Sequence, residues 1–248
     1  MKGQGWSGLT LMNFTGVYRR EHFYGDRTHD WLDCSGIPGT YGYCDPAAAA
    51  ARLRRRMHTA GRRGLHFLDN GNYHYLSYFW TETIRRPFNL VVFDHHVDAR
   101  RPRFGPLLSC GSWLREALRD HPFLNRVFLI GAGRHQQALL ADPAHLSEDA
   151  AARIACLNDG AALDSIIADG CPVYLSVDKD VLSPAVLTTN WDQGTMALKT
   201  LTAAIRRLTR ALPVLGADIC GEPPENAREK QIVQSDAVNR ALMQTLTA

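Results

Sequence analysis

Asp94, His96 and Asp98 stand at alternate positions in the stretch Val91-Val92-Phe93-Asp94-His95-His96-Val97-Asp98. The apolar, β-branched start of this stretch predicts a buried strand. On an extended backbone, residues two apart share a face. Two carboxylates and an imidazole would then point the same way from the strand's carboxyl end. A second block repeats the device: Asp178-Lys179-Asp180 leaves an apolar strand expected over 172–177. A third places His74 just after the turn Gly71-Asn72-Tyr73, which follows a short strand over 64–68. Clustered carboxylates repel one another and lose hydration when buried, and a divalent cation resolves that conflict. Each block alone has a plain reading: a polar strand end in water, an ordinary turn, a capping or packed histidine. Together they form a ligand set of oxygen and nitrogen without sulfur, suited to one or two hard or borderline divalent ions.

The elements that must position these residues alternate. Strands are expected over 9–14, 64–68, 88–93, 126–131, 172–177 and 213–220, and helices over 47–57, 75–85, 114–120, 198–212 and 232–246. Asp45-Pro46 starts the first helix, with an acceptor at the cap and proline in the first turn. Residues 136–169 read as helices broken near Asn158-Asp159-Gly160, and 16–45 as loop. Such alternation predicts a three-layer α/β/α domain over 1–248, with a mostly parallel sheet covered on both faces. Parallel strands gather their carboxyl ends along one edge, which is where the three blocks would meet.

Composition narrows the function classes. A net charge of +3 over 248 residues gives no ground for a nucleic-acid partner, and the basic cluster Arg52, Arg54, Arg55, Arg56, Arg62 and Arg63 reads as a solvated helix face. The six cysteines form no C-x-x-C pair, so neither a zinc knuckle nor a disulfide framework is indicated. No secretory leader and no membrane-length apolar run is legible, and a reducing, cytoplasmic setting fits.

The combined pattern resembles the ureohydrolase superfamily of arginase, agmatinase and formimidoylglutamase. Its G-G-x-H turn, D-x-H-x-D strand end and S-x-D-x-D-x-x-x-P strand end are matched by Gly71-Asn72-Tyr73-His74, by Asp94 to Asp98, and by Ser176-Val177-Asp178-Lys179-Asp180-Val181-Leu182-Ser183-Pro184. The likeness covers roughly residues 64–226 and implies an arginase-like fold with two Mn2+ ions, other divalent metals being allowed. His74, Asp94, Asp98 and Asp178 would hold one ion; Asp94, His96, Asp178 and Asp180 would hold the other. A metal-bridging hydroxide would attack a guanidino or amidine carbon, on a small molecule or a side chain, and expel an amine. Family members commonly assemble as trimers or hexamers. Two alternatives accompany this reading: a deacetylase-like amide hydrolase with one zinc, and a non-catalytic metal-binding or interaction protein.

Three departures qualify the likeness. Cys110, in Ser109-Cys110-Gly111-Ser112, stands where agmatinase-like members have a proton-transferring histidine. A thiol shuttles protons less readily near neutral pH and leaves a wider pocket, so free arginine and agmatine are expected to be poor substrates. In Asp218-Ile219-Cys220-Gly221-Glu222-Pro223, strict alignment puts Gly221 at the family's substrate-pairing glutamate, with Glu222 one residue later. Glu222 is expected to meet a cationic part of the substrate, with Glu225 as the second choice. Residues 1–60 match poorly and are read as a lid, a specificity surface or an assembly segment.

Overall fold

The computed structural model describes residues 8–60, 64–102, 105, 107–157 and 161–248. In chain order its elements are β1 (Leu9–Asn13), β2 (Asp30–Asp33), β3 (Tyr43–Cys44), α1 (Ala50–Thr59), β4 (Leu65–Phe67), α2 (Leu76–Thr81), β5 (Phe88–Phe93), β6 (Leu108–Ser109), α3 (Trp113–Asp120), β7 (Leu124–Ile130), α4 (Arg134–Ala138), α5 (Glu148–Ala152), β8 (Ile154–Leu157), α6 (Ala161–Asp169), β9 (Val173–Asp178), α7 (Leu198–Ala211), β10 (Val214–Cys220) and α8 (Glu229–Leu246). Eight strands form one sheet in the order β2-β1-β4-β10-β9-β5-β7-β8, and every pairing is parallel. β3 and β6 make a separate antiparallel ribbon.

Strand alternation sorts the side chains into two cores. Leu90 and Val92 of β5 pack with Leu53, Leu76, Trp113 and Leu114 of α1, α2 and α3. Their neighbours Val91 and Phe93 pack on the other face with Ile166, Leu201, Ile205 and Leu242 of α6, α7 and α8. A strand buried on both faces reads as a continuous apolar run, and β5 does so without a polar break except Asn89. The same parity carries to the strand ends. Tyr174 of β9 and Cys220 of β10 lie on the α1–α3 side, whereas Leu175, Val177, Ala217 and Ile219 lie on the α7–α8 side. Asp94, Ser176, Asp178 and Asp218 follow the first set by alternation.

Most expected elements are found, with shifted ends. Three are not as read. Residues 16–45 were expected to be loop, yet β2 and β3 lie there; β2 is an edge strand with one buried residue, Leu32, so its apolar signal is weak. β8 occupies part of a region expected to be helical, and its short sequence Ile-Ala-Cys-Leu carries no period that separates strand from helix. The expected break at Asn158-Asp159-Gly160 lies outside the described residues, as do Arg62 and Arg63 of the basic cluster. α2 stops at Thr81 instead of continuing to residue 85. Asp45 does cap the first helix: its Oδ1 accepts from the amides of Ala47 (2.8 Å) and Ala48 (2.7 Å), although regular α-helix begins only at Ala50. Within residues 1–60, read as a lid, a specificity surface or an assembly segment, β1 and β2 join the main sheet, with β1 paired to β4.

Candidate metal centre

β4, β10, β9 and β5 are adjacent in the sheet, and each ends at the same edge. The turn after β4 delivers His74, the end of β10 Cys220, the end of β9 Asp178 and Asp180, and the loop after β5 Asp94, His96 and Asp98. Asp94 and Asp178 are almost fully buried, as are His74 and Asp180. His74 Nδ1 lies 3.0 Å from Asp98 Oδ2, 3.2 Å from Asp94 Oδ2 and 3.6 Å from Asp178 Oδ2. His96 Nδ1 lies 2.9 Å from Asp180 Oδ2 and 3.6 Å from Asp94 Oδ1. Three groupings of potential ligand atoms result: His74 with Asp94 and Asp98; Asp94 with His96 and Asp180; and His74 with Asp178 and Cys220.

The route to this geometry differs from simple strand alternation at one residue. β5 ends at Phe93, and Asp98 adopts φ 45°, in the left-handed region. Aspartate tolerates this conformation better than most residues, at a cost of about 1 kcal/mol. The turn brings Asp98 Oδ2 to His74 and to the indole N–H of buried Trp113, which donates to it at 2.8 Å. Gly71 serves the opposite need, close approach. A Cβ there would lie 2.7 Å from Trp191 Cδ1 and 3.1 Å from Asp178 Oδ2.

Each imidazole is held from its far nitrogen. His74 Nε2 meets Ser176 Oγ at 2.9 Å, and Ser176 Oγ donates to Asp218 Oδ1 at 2.6 Å. His96 Nε2 meets Asp192 Oδ1 at 3.1 Å. An acceptor at one nitrogen keeps the proton there and leaves the other nitrogen free as a ligand. Both rings therefore turn Nδ1 toward the carboxylates. Asp218 and Asp192 escaped the sequence reading. A carboxylate inside an otherwise apolar strand was a usable signal for Asp218, whereas Asp192 sits in an ordinary turn and offered none.

The electrostatics describe a site built for cations. Burial raises the pKa of Asp98 to about 6, helped by the charge of Asp94. Burial, followed by Asp94, raises Asp178. Burial together with Asp178 and Asp94 drives Asp180 well above the usual carboxylate range. Burial opposes charge on Asp94 too, but His74 and His96 outweigh it and hold that carboxyl below its usual range. Burial likewise opposes charge on His96, yet Asp180 and Asp94 push its pKa up to about 12. Protons thus stand in for missing positive charge. The hydrogen-bond geometry agrees: His74 Nδ1 and Asp94 Oδ2 are buried and make no hydrogen bond, despite their 3.2 Å separation. Close atoms that are not aimed at one another are what two ligands of a shared ion look like. Two imidazoles and four carboxylates fit hard or borderline divalent ions.

A cavity of about 400 Å3 opens onto the cluster, walled by Gly71, Cys110, His135, Trp191 and Asp192, with Arg100 and Gln136 beside them. Cys110 does line it, and burial pushes its thiol up to about 12. The expectation for Glu222 needs correction. Its side chain is fully buried on the α8 side of the sheet, paired with Lys179 Nζ at 2.7 Å and accepting from Ser235 Oγ (2.5 Å) and Asn239 Nδ2 (2.8 Å). No oxygen is left to meet a substrate. The physical reason is parity: Lys179 lies between Asp178 and Asp180 and so points to the opposite face, where its buried charge needs a carboxylate. Glu225, the second choice, does not line the cavity either. At Gly221, φ is 90° and a Cβ would lie 2.5 Å from Asp178 Oδ1, so no side chain fits at the position of the family's glutamate.

Comparison with known proteins agrees with this architecture. The Arginase family model matches residues 21–245, and the chain belongs to that family. An uncharacterized protein of Thermotoga maritima is 34% identical over 183 residues, covering 74% of this chain and 68% of its own. Solved structures share the fold at low identity. Proclavaminate amidino hydrolase from Streptomyces clavuligerus superposes with a TM-score of 0.68 at 16% identity, covering 98% of this chain and 92% of its own. Formimidoylglutamase from Bacillus subtilis gives 0.65 at 14%, covering 100% and 88%. Arginase from Bacillus cereus gives 0.65 at 17%, covering 97% and 98%.

Proposed function

We propose that this protein is a two-metal hydrolase that cleaves a C–N bond of a guanidino or other linear amidine substrate. The observation that carries the reading is the buried, unbonded His74 Nδ1 among the carboxylates of Asp94, Asp98 and Asp178, gathered from three strand ends at one sheet edge. His74, Asp94, Asp98 and Asp178 would hold one divalent ion, and Asp94, His96, Asp178 and Asp180 the other, with manganese the expected metal. Bound there, two cations would supply Lewis acidity, lowering the pKa of a bound water and polarising the substrate. The place of His74 in the cluster favours two ions over a single zinc.

The chain's own groups do the rest. Ser176 with Asp218, and Asp192, keep both imidazoles in the ligand tautomer. Trp191, whose indole N–H donates to Asn72 Oδ1 at 3.1 Å, walls the cavity beside His96. Cys110 holds its proton too tightly to donate it readily, so the proton needed by the departing amine is assigned to His135, the imidazole at the cavity wall outside the ligand set. The missing carboxylate at Gly221 and the buried Glu222 argue against a pocket shaped for free arginine or agmatine. Asp192, exposed at the mouth, is the acidic group left to meet a cationic substrate. The names of the structural relatives support the amidine class.

The test is a screen of metal-loaded protein against guanidino, formimidoyl and acyl-amide compounds, following urea, formamide and amine release. Turnover of an amidine with two bound ions per chain is expected. Turnover of acyl amides alone, or one ion per chain, would overturn the reading.

A further inference from the structure

The third grouping at the site contains sulfur. Cys220 is the last residue of β10 and pairs in register with Asp178 of β9, so the two side chains leave the sheet side by side. Cys220 is fully buried, and its S–H donates to Asp178 Oδ2 at 3.1 Å. Its sulfur, a carboxylate oxygen of Asp178 and a ring nitrogen of His74 all lie within 4.8 Å of one another. His74 is 1% exposed, and its Nδ1 has no hydrogen-bond partner. Gly221 lets the end of β10 approach Asp178 and Lys179 so closely that a Cβ there would lie 2.5 Å from Asp178 Oδ1.

We propose that Cys220 is a metal ligand, its thiolate completing the ion position formed by His74 and Asp178. The two positions of the centre then differ. The position at His96 is built from nitrogen and oxygen and suits manganese. The position at His74 adds sulfur, and thiolate ligation favours zinc, cobalt or ferrous iron over manganese. On coordination the S–H bond breaks, its proton leaves to solvent, and its electron pair forms the metal–sulfur bond. Asp178 Oδ2 loses that donor and becomes free to bind as well. The inference rests on the two-metal reading and adds an asymmetry to it.

Cobalt and zinc are the probes. Apoprotein is loaded with Co2+, its metal content is measured by elemental analysis, and the near-ultraviolet spectrum is read for a thiolate-to-cobalt charge-transfer band. Zinc-loaded protein is examined by X-ray absorption for a sulfur neighbour at about 2.3 Å. Wild type is expected to show both signals. Cys220→Ser, which keeps a donor for Asp178, should bind metal, lose both signals, and lower the zinc-to-manganese affinity ratio about tenfold or more. Cys110→Ser should keep both. Metal bound by wild type without either signal overturns Cys220 as a ligand and leaves the two-metal reading standing. Signals lost in Cys110→Ser instead also overturn it. Failure of wild type to bind any metal overturns both readings. If Cys220→Ser does not fold, the wild-type absorption spectrum alone decides.

Discussion

Asp178, like Asp94, is shared by both proposed ion positions. Its Oδ1 accepts the amide of Asp180 at 2.9 Å, and its Oδ2 faces His74 and Cys220. Asp178→Asn keeps the shape and the turn but removes a negative charge shared by both proposed ion positions. It is expected to lower metal content below two per chain and activity by more than about a hundredfold; elemental analysis and turnover measured together check this. The cavity wall gives a second prediction. His135→Ala should lower kcat roughly a hundredfold, with partial recovery on adding free imidazole, while Cys110→Ser stays within about tenfold of wild type. A large loss in Cys110→Ser, or no rescue of His135→Ala, would return the proton-transfer role to Cys110.

At the scale of elements, the end of β9 that carries the proposed ligands is locked to α8 by a buried charge network. Lys179 Nζ meets Glu222, Ser235 Oγ at 2.7 Å and Asn239 Oδ1 at 2.8 Å, and Asn239 also donates to Glu21 Oε2 at 2.8 Å. Burial, reinforced by Glu222, raises the pKa of Glu21 to about 10, so that side chain stays protonated and the pair needs one lysine. Removing one partner strands a buried charge. Lys179→Met should cost about 3–5 kcal/mol in denaturant unfolding, and adding Glu222→Gln should recover part of it. Additive losses in the double variant would show that the pair is not coupled. Because Lys179 sits between two proposed ligands, the single variant should also weaken metal binding.

For the whole molecule, a partly metal-independent acid sensitivity is built into the face away from the centre. His121, at the end of α3, is 6% exposed, packs on Tyr78, and has an unpartnered Nε2. Burial lowers its pKa from 6.5 to about 4. A depressed folded-state pKa means that the unfolded chain binds the extra proton first. Its stability contribution is therefore complete above pH 6.5 and is lost as pH falls through about 4. The slope is at most about 1.4 kcal/mol per pH unit. His121→Gln should flatten the fall in Tm between those limits without changing metal content; an unchanged slope would reject the assignment.

By itself, the sequence determined the elements whose physics is local. The run Phe88–Phe93 could only be a doubly buried strand, and Leu198–Ala211 shows its solvent face through Arg206, Arg207 and Arg210. It also determined which carboxylates and imidazoles reach the sheet edge, since parallel strands align their ends and the blocks follow them directly. Tertiary structure decided what spacing cannot express. Glu222 and Lys179 are far apart in meaning until parity sends Lys179, and the left-handed turn at Gly221 sends Glu222, to the α8 face. Asp98 reaches His74 through a left-handed turn and not through alternation. Asp218, Asp192 and Cys220 join the centre only because β10 lies between β4 and β9 and because the 190–194 turn folds back over His96. Those are contacts between residues distant in the chain. Their energies depend on burial and direction, which a linear pattern does not contain.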